Sequence, residues 1–131
     1  MSIKYFVPSL VWVLLIFAVL SIPPDQVSRI DFLKIPHLDK LVHTGLFFVF
    51  AILNSFGAAK QTRKKWTGLG VHLAIFSAGI LAGSTSELMQ HYFFPLRTAS
   101  ISDMIFNIFG TIFGIIAWVL YLKIKAKIIF R

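Results

Sequence analysis

Apolar residues in this chain gather into four long runs, separated by short stretches rich in proline and charge. A helix crossing a bilayer needs roughly 20 consecutive, mostly apolar residues. Four stretches satisfy that length and predict helices over Tyr5–Ile22, Asp39–Ala58, Trp66–His91 and Ser102–Ile124. Pro23-Pro24 ends the first run, Pro36 precedes the second and Pro95 follows the third. Proline stops or opens helices because it lacks the amide donor and crowds the preceding turn. The gaps are too short for a soluble domain. The pattern therefore predicts an all-α integral membrane bundle of four transmembrane helices, a single domain over residues 1–131. The first run has Lys4 and an apolar core longer than that of a secretory signal, and "AVLSIPPD" offers no small-x-small cleavage site. It is expected to stay as an uncleaved anchor.

The polar residues stand at the edges of these runs. The second run opens on "HLDKLVHTG", the third closes on "ELMQHY" and the fourth opens on "SISDMIFN". Alternating crossings bring those three edges to one membrane face. Residues three or four apart share a helix face. Asp39 pairs with His43, Glu87 with Gln90 and His91, and Asp103 with Asn107, whose stripe continues through Gly110 and Gly114. The expectation is one polar pocket at one face, with Arg97 in the loop beside it. Gly79-x-x-x-Gly83 and Gly110-x-x-x-Gly114 let backbones approach closely in lipid. They predict that runs three and four pack as an antiparallel hairpin through these glycines.

Composition supports the membrane class. The chain is 57% hydrophobic, with a mean hydropathy of +0.82, more apolar surface than a soluble core of this size can hide. The absence of cysteine excludes disulfides, thiolate metal sites and cysteine nucleophiles. The net charge of +8 first suggests nucleic acid, but its distribution argues against that partner. Lys4, Lys60, Arg63–Lys65 and the tail from Lys123 to Arg131 hold nine of the 13 basic residues, all on one side. Arg29, Lys34, Lys40 and Arg97 share the other side with every acidic residue. The positive-inside rule then predicts that both termini are cytoplasmic, and the basic excess is a topology signal with attraction to anionic lipid heads. Trp66, Trp118 and Tyr121 suit an aromatic belt at the cytoplasmic interface; Trp12 favours neither side.

Glu87 lies a turn inside its run, where capping does not explain it. A carboxylate in hydrocarbon costs several kcal/mol unless paired or wet, so Glu87 is expected to face inward and meet Arg97, Lys40 or His43. His43 lies one turn into an apolar run and carries the side chain most used to give and take protons. Asp103 has a competing role, because Ser100-x-x-Asp103 matches a capping box. Asn107 serves equally as helix–helix glue. Asp39 fits an N-cap, and Lys40 fits a side chain snorkelling to the interface. Arg97 is the best anion ligand, since guanidinium binds phosphate or carboxylate bidentately. The four glycines need no role beyond packing. His37, His72, His91 and Asn54 read as incidental.

The ordered set is also informative as a set. "DKLVHTGLFFVFAIL" followed by "ELMQHYFFPLRTASISDMIFNIFGTIFG" resembles the VanZ-like membrane proteins. Their pattern has Asp-Lys-x-x-His opening a helix, then Glu-x-x-Gln, an outer-loop Arg, Asp-x-x-x-Asn and a glycine-bearing helix. The matching positions are Asp39, Lys40, His43, Glu87, Gln90, Arg97, Asp103, Asn107, Gly110 and Gly114. The resemblance covers the chain from the second run onward; the first matches only in hydrophobicity. It implies a multi-pass protein of the bacterial cytoplasmic membrane. The family's namesake is linked to teicoplanin resistance, and the resemblance implies no particular reaction.

Three function classes follow. In the first, the pocket binds the headgroup of an anionic lipid or lipid-linked envelope precursor through Asp39, Lys40, Gln90, Arg97 and Asn107. In the second, the chain is an enzyme on such a lipid, with Glu87, His43 and Asp103 as acid–base residues. In the third, it is a transporter component, although the polar set is confined to one end. No cofactor and no metal are assigned. A divalent ion on His43, Glu87 and Asp103 is the minor variant, because no metal-specific spacing such as His-x-x-x-His occurs. The partner is a membrane lipid, and a homo-oligomer stays open.

Overall fold

The structure is a computed structural model and describes residues 3–22, 38–62, 68–93 and 100–129. These form four α-helices and one short 3-10 turn. The turn covers Ile3–Tyr5, and α1 covers Val7–Leu20. The longer helices are α2 over Leu38–Thr62, α3 over Leu69–Phe93 and α4 over Ile101–Ile129.

The three long helices have 25, 25 and 29 residues. At 1.5 Å per residue each spans about 37 Å or more, beyond the roughly 30 Å of a bilayer's hydrocarbon core. All three are apolar enough to cross a membrane. The first helix is shorter than its apolar run suggested. It has 14 residues, or about 21 Å. Pro8 falls in its first turn and the chain before it is a separate 3-10 turn. At the other end the Ser21 hydroxyl bonds back to Phe17 O at 2.6 Å, closing α1 ahead of Pro23-Pro24.

Side-chain contacts fix the topology. His43, Thr44 and Phe48 of α2 meet Asn107, Gly110 and Gly114 of α4 in the same order, so α2 and α4 run parallel. Gly79 and Gly83 of α3 meet Thr111 and Asn107 in reverse order, so α3 is antiparallel to α4. The start of α1 lies at Gly57, near the end of α2, and the Trp12 indole N–H donates to Leu46 O at 2.8 Å. The core is small and aliphatic–aromatic: Ile16, Leu20, Leu46, Phe47 and Phe50. Outside it large apolar side chains face outward, with Leu14 71% and Leu81 68% exposed. In water that surface would be a liability; lipid is its natural solvent.

The glycines divide their work differently from the hairpin expectation. At Gly79 a Cβ would fall 2.6 Å from the Thr111 hydroxyl, and at Gly83 it would fall 3.1 Å from the Asn107 amide, so this pair seats α3 on α4. Gly110 and Gly114 turn away from α3. A Cβ there would collide with the backbone oxygens of Thr44 and Phe48, so this pair seats α4 on α2. The reason is geometric. The α4 face carrying Asn107 and Thr111 meets α3, and the glycines lie to the side of it that meets α2. The closest backbone approach in the bundle is therefore between parallel helices that are distant in sequence, which a rule for adjacent antiparallel spans does not anticipate.

Candidate functional site

Three helices bury polar side chains at one end of the bundle. His43, Glu87 and Asn107 are 3%, 1% and 1% exposed. Each lies five or six residues from its helix end, roughly 8–9 Å along the axis. The basic ends of the chain lie opposite. Lys4 precedes α1, while Lys60 and Lys127 occupy the last turns of α2 and α4.

His43 is the hub. Its Nδ1 is 2.9 Å from Asn107 Oδ1 and 4.0 Å from Glu87 Oε1. Its Nε2 is 4.0 Å from Asp103 Oδ2. Only the first of these is a hydrogen bond by length. An amide oxygen can only accept, so Nδ1 carries the proton. In the neutral ring Nε2 is then an acceptor, and it faces a carboxylate, which is also an acceptor. A proton on Nε2 or a cation between the two groups resolves that opposition.

The start of α4 explains how Asp103 becomes available. The Asp103 amide donates to Ser100 Oγ at 3.3 Å, so Ser100 is the N-cap that the capping-box spacing predicts. The reciprocal half of the box is absent. The Ser100 amide instead donates to Glu87 Oε2 at 2.9 Å. Glu87 of α3 thus does the work expected of Asp103, and the Asp103 carboxylate is left to face His43. A carboxylate on the N-cap amide of α4 is also favoured by the positive end of the helix dipole. One ligand atom from each of His43, Glu87 and Asp103 lies within 4.8 Å of the others, a grouping that can hold a metal ion.

The remaining sequence candidates scatter. Gln90 is buried, but its Nε2 donates to Leu20 O at 3.0 Å. It bonds a carbonyl at the last residue of α1 and so ties α1 to α3. Asp39 is exposed in the first turn of α2. Lys40 is half-buried with Nζ 5.5 Å from the Phe106 ring centroid, a cation–π contact at the rim. Arg97 and His37 lie outside the described residues. His91 is exposed, edge-on to Tyr92. Asn54 donates to Phe50 O at 2.9 Å within its own helix.

Sequence reasoning missed Ser100 as a partner of Glu87, Trp12 as the donor joining α1 to α2, and Thr44 and Thr111 in the helix contacts. Thr44 Oγ donates to Lys40 O at 2.9 Å and lies 3.4 Å from Phe106 O across the α2–α4 contact. None of these leaves a signal in a periodicity pattern, because each partner is far away in sequence or is a backbone atom. Asn107 Nδ2 has no hydrogen-bond partner among the described residues. It faces Gly83 at the edge of a crevice between α3 and α4 of about 10 Å³, room for about one water molecule. Of the three clustered residues Asp103 is the most accessible, its side chain 17% exposed against 4% for His43 and 2% for Glu87.

Comparison of the chain with protein-family models, with curated proteins and with solved structures found no match in any of them.

Proposed function

We propose that this chain is a VanZ-like, multi-pass protein of the bacterial cytoplasmic membrane, with both termini cytoplasmic. Its buried polar cluster then opens outward and receives the headgroup of an anionic lipid or a lipid-linked envelope precursor. The observation that carries this reading is the burial of His43, Glu87 and Asn107 together, from three helices, at the end of the bundle opposite Lys4, Lys60 and Lys127. Hydrophilic side chains at such depth are costly in lipid and mark functional sites. The described cluster is rich in acceptors, which suits hydroxyl- or amine-bearing heads. The anionic part of the head falls to Lys40 at the rim and to Arg97. If the ligand is a surface-exposed cell-wall precursor, holding it changes what a glycopeptide antibiotic such as teicoplanin can reach.

Photo-crosslinking tests this reading. The chain in nanodiscs is exposed to a photoactivatable anionic phospholipid and, separately, to a polyprenyl phosphate. Label is expected within residues 83–110 and is expected to drop at least several-fold in Arg97→Ala. Equal labelling of wild type and Arg97→Ala would overturn it.

One observation favours a second reading. His43 stands between two carboxylates, each 4.0 Å from a different ring nitrogen, an arrangement suited to acid–base chemistry on the same headgroup. Turnover of the labelled lipid by wild type, lost in Glu87→Gln, distinguishes an enzyme from a binder.

A further inference from the structure

We propose that His43, Glu87 and Asp103 bind one divalent first-row transition ion, for which zinc is the probe. The proposal rests on the local geometry of α2, α3 and α4 and stands apart from the headgroup reading.

Donor type and charge come first. An imidazole nitrogen with two carboxylate oxygens suits Zn²⁺, Mn²⁺ or Fe²⁺ better than the all-oxygen shells of Ca²⁺ and Mg²⁺. Two carboxylates beside a neutral imidazole attract a divalent ion and offset its charge in a low-dielectric bundle.

Distance comes next. Zinc binds histidine nitrogen at about 2.0–2.1 Å and carboxylate oxygen at about 2.0–2.2 Å. Donors around one ion are therefore separated by about 3.4 Å in a tetrahedron and up to about 4.2 Å across an octahedron. One donor atom from each of the three residues lies within 4.8 Å of the others, and the Nε2 and Oδ2 that would share the ion are 4.0 Å apart. Closing that shell requires the Glu87 carboxylate, now 4.0 Å from Nδ1, to swing toward the Nε2 side of the ring.

The decisive feature is what holds the donors in place. A metal-bound histidine almost always donates its other ring N–H to a fixed acceptor, which sets the tautomer and aims the free lone pair. Asn107 Oδ1 does this for Nδ1 at 2.9 Å. Nε2 is thereby aimed at Asp103 Oδ2, and two acceptors confront each other where a cation would satisfy both. The Glu87 carboxylate is steadied in the same way by the Ser100 amide. Asp103, partly exposed at the bundle end, provides the entry path. Three protein ligands leave at least one coordination position for water or a ligand oxygen.

The test uses the full chain, purified in detergent without a histidine tag. The protein is stripped with chelator, equilibrated with zinc alone, desalted, and assayed for metal per chain. One zinc per chain is expected. His43→Gln and Asp103→Asn should each weaken binding at least tenfold, and Asn107→Ala, acting through His43, about 10–100-fold. His91→Asn, an exposed control, should leave binding unchanged. Asp103→Asn keeps the helix cap, which uses only the backbone amide of that residue, so circular dichroism should show a folded variant. Cobalt gives an independent readout: its visible d–d bands should appear in wild type and vanish in Asp103→Asn.

Substoichiometric zinc in wild type would overturn the inference, as would wild-type retention in both His43→Gln and Asp103→Asn. Zinc bound by Arg97→Ala but not by wild type would also overturn it, because a guanidinium would then be the native counter-charge. Lipid labelling of the stripped protein is run in parallel. Lost metal binding with intact labelling removes only the metal, and the reverse removes only the headgroup.

Discussion

Gly110→Ala is the smallest substitution that probes the seam on which the site depends. A Cβ at Gly110 would strike the Thr44 carbonyl and would lie 3.1 Å from Phe47 Cβ. Neither obstacle is the free end of a flexible side chain. Restoring ordinary contact needs α2 and α4 to part by roughly 1 Å, and overpacking of that kind costs about 1–3 kcal/mol, more when backbone must move. Removing glycine from a helix offsets part of this, by about 0.8–1 kcal/mol. The net expectation is a loss of up to about 2 kcal/mol. Gly45→Ala is the matched control, since a Cβ there meets nothing within 4 Å. It should stabilise by about 0.5–1 kcal/mol. The same added methyl therefore has opposite signs at the two positions. The assay is unfolding by SDS titration in mixed micelles, followed by far-ultraviolet circular dichroism and by tryptophan fluorescence. Trp118 of α4 is a local reporter, edge-on to Phe56 of α2 at 6.2 Å. Gly110→Ala as stable as Gly45→Ala would refute the close α2–α4 approach. A separation near Gly110 should also weaken ligand or metal binding, since His43 and Asn107 lie one turn away.

Three further outcomes follow from the same contacts. Gln90→Leu removes a donor to Leu20 O and should destabilise by about 0.5–1.5 kcal/mol, with the Trp12 emission, which reports on α1, shifting before the α2–α4 signal. Glu87→Leu strips the Ser100 amide of its partner and should cost about 1–3 kcal/mol, whereas Glu87→Gln keeps an acceptor oxygen and should lose much less; both are read by the SDS titration. The native chain has no cysteine, so single cysteines at Ile101 and Thr62 report topology cleanly: a membrane-impermeant maleimide on intact spheroplasts should label Ile101→Cys and spare Thr62→Cys.

Much of the fold was legible because hydrocarbon imposes a length and an apolar composition that 25-residue helices cannot disguise. The ends of α2, α3 and α4 fall within a few residues of the apolar runs, and α4 extends to Ile129 because its lysines continue as good helix formers. The first helix was less legible. Its run is hydrophobic throughout, but its prolines and the Ser21 back-bond set a shorter limit than hydropathy does. The polar cluster was legible through Asp-x-x-x-Asn and the lone Glu87, since buried charge in an apolar run has few structural excuses. What each residue does there was not. Gln90 and Glu87 share a face, yet one holds the end of α1 and the other caps α4 beside its own site. That division depends on where Leu20 O and the Ser100 amide fall in space, and helical spacing carries no information about either.

A double-mutant cycle between His43 and Asn107 tests the shared cluster most directly. His43→Leu or Asn107→Leu alone leaves a buried polar partner unsatisfied, whereas the double variant leaves neither. The geometry predicts that the double variant is less destabilised than the sum of the singles by about 1–3 kcal/mol. Strict additivity of the two substitutions would contradict it, because side chains that add independently do not meet.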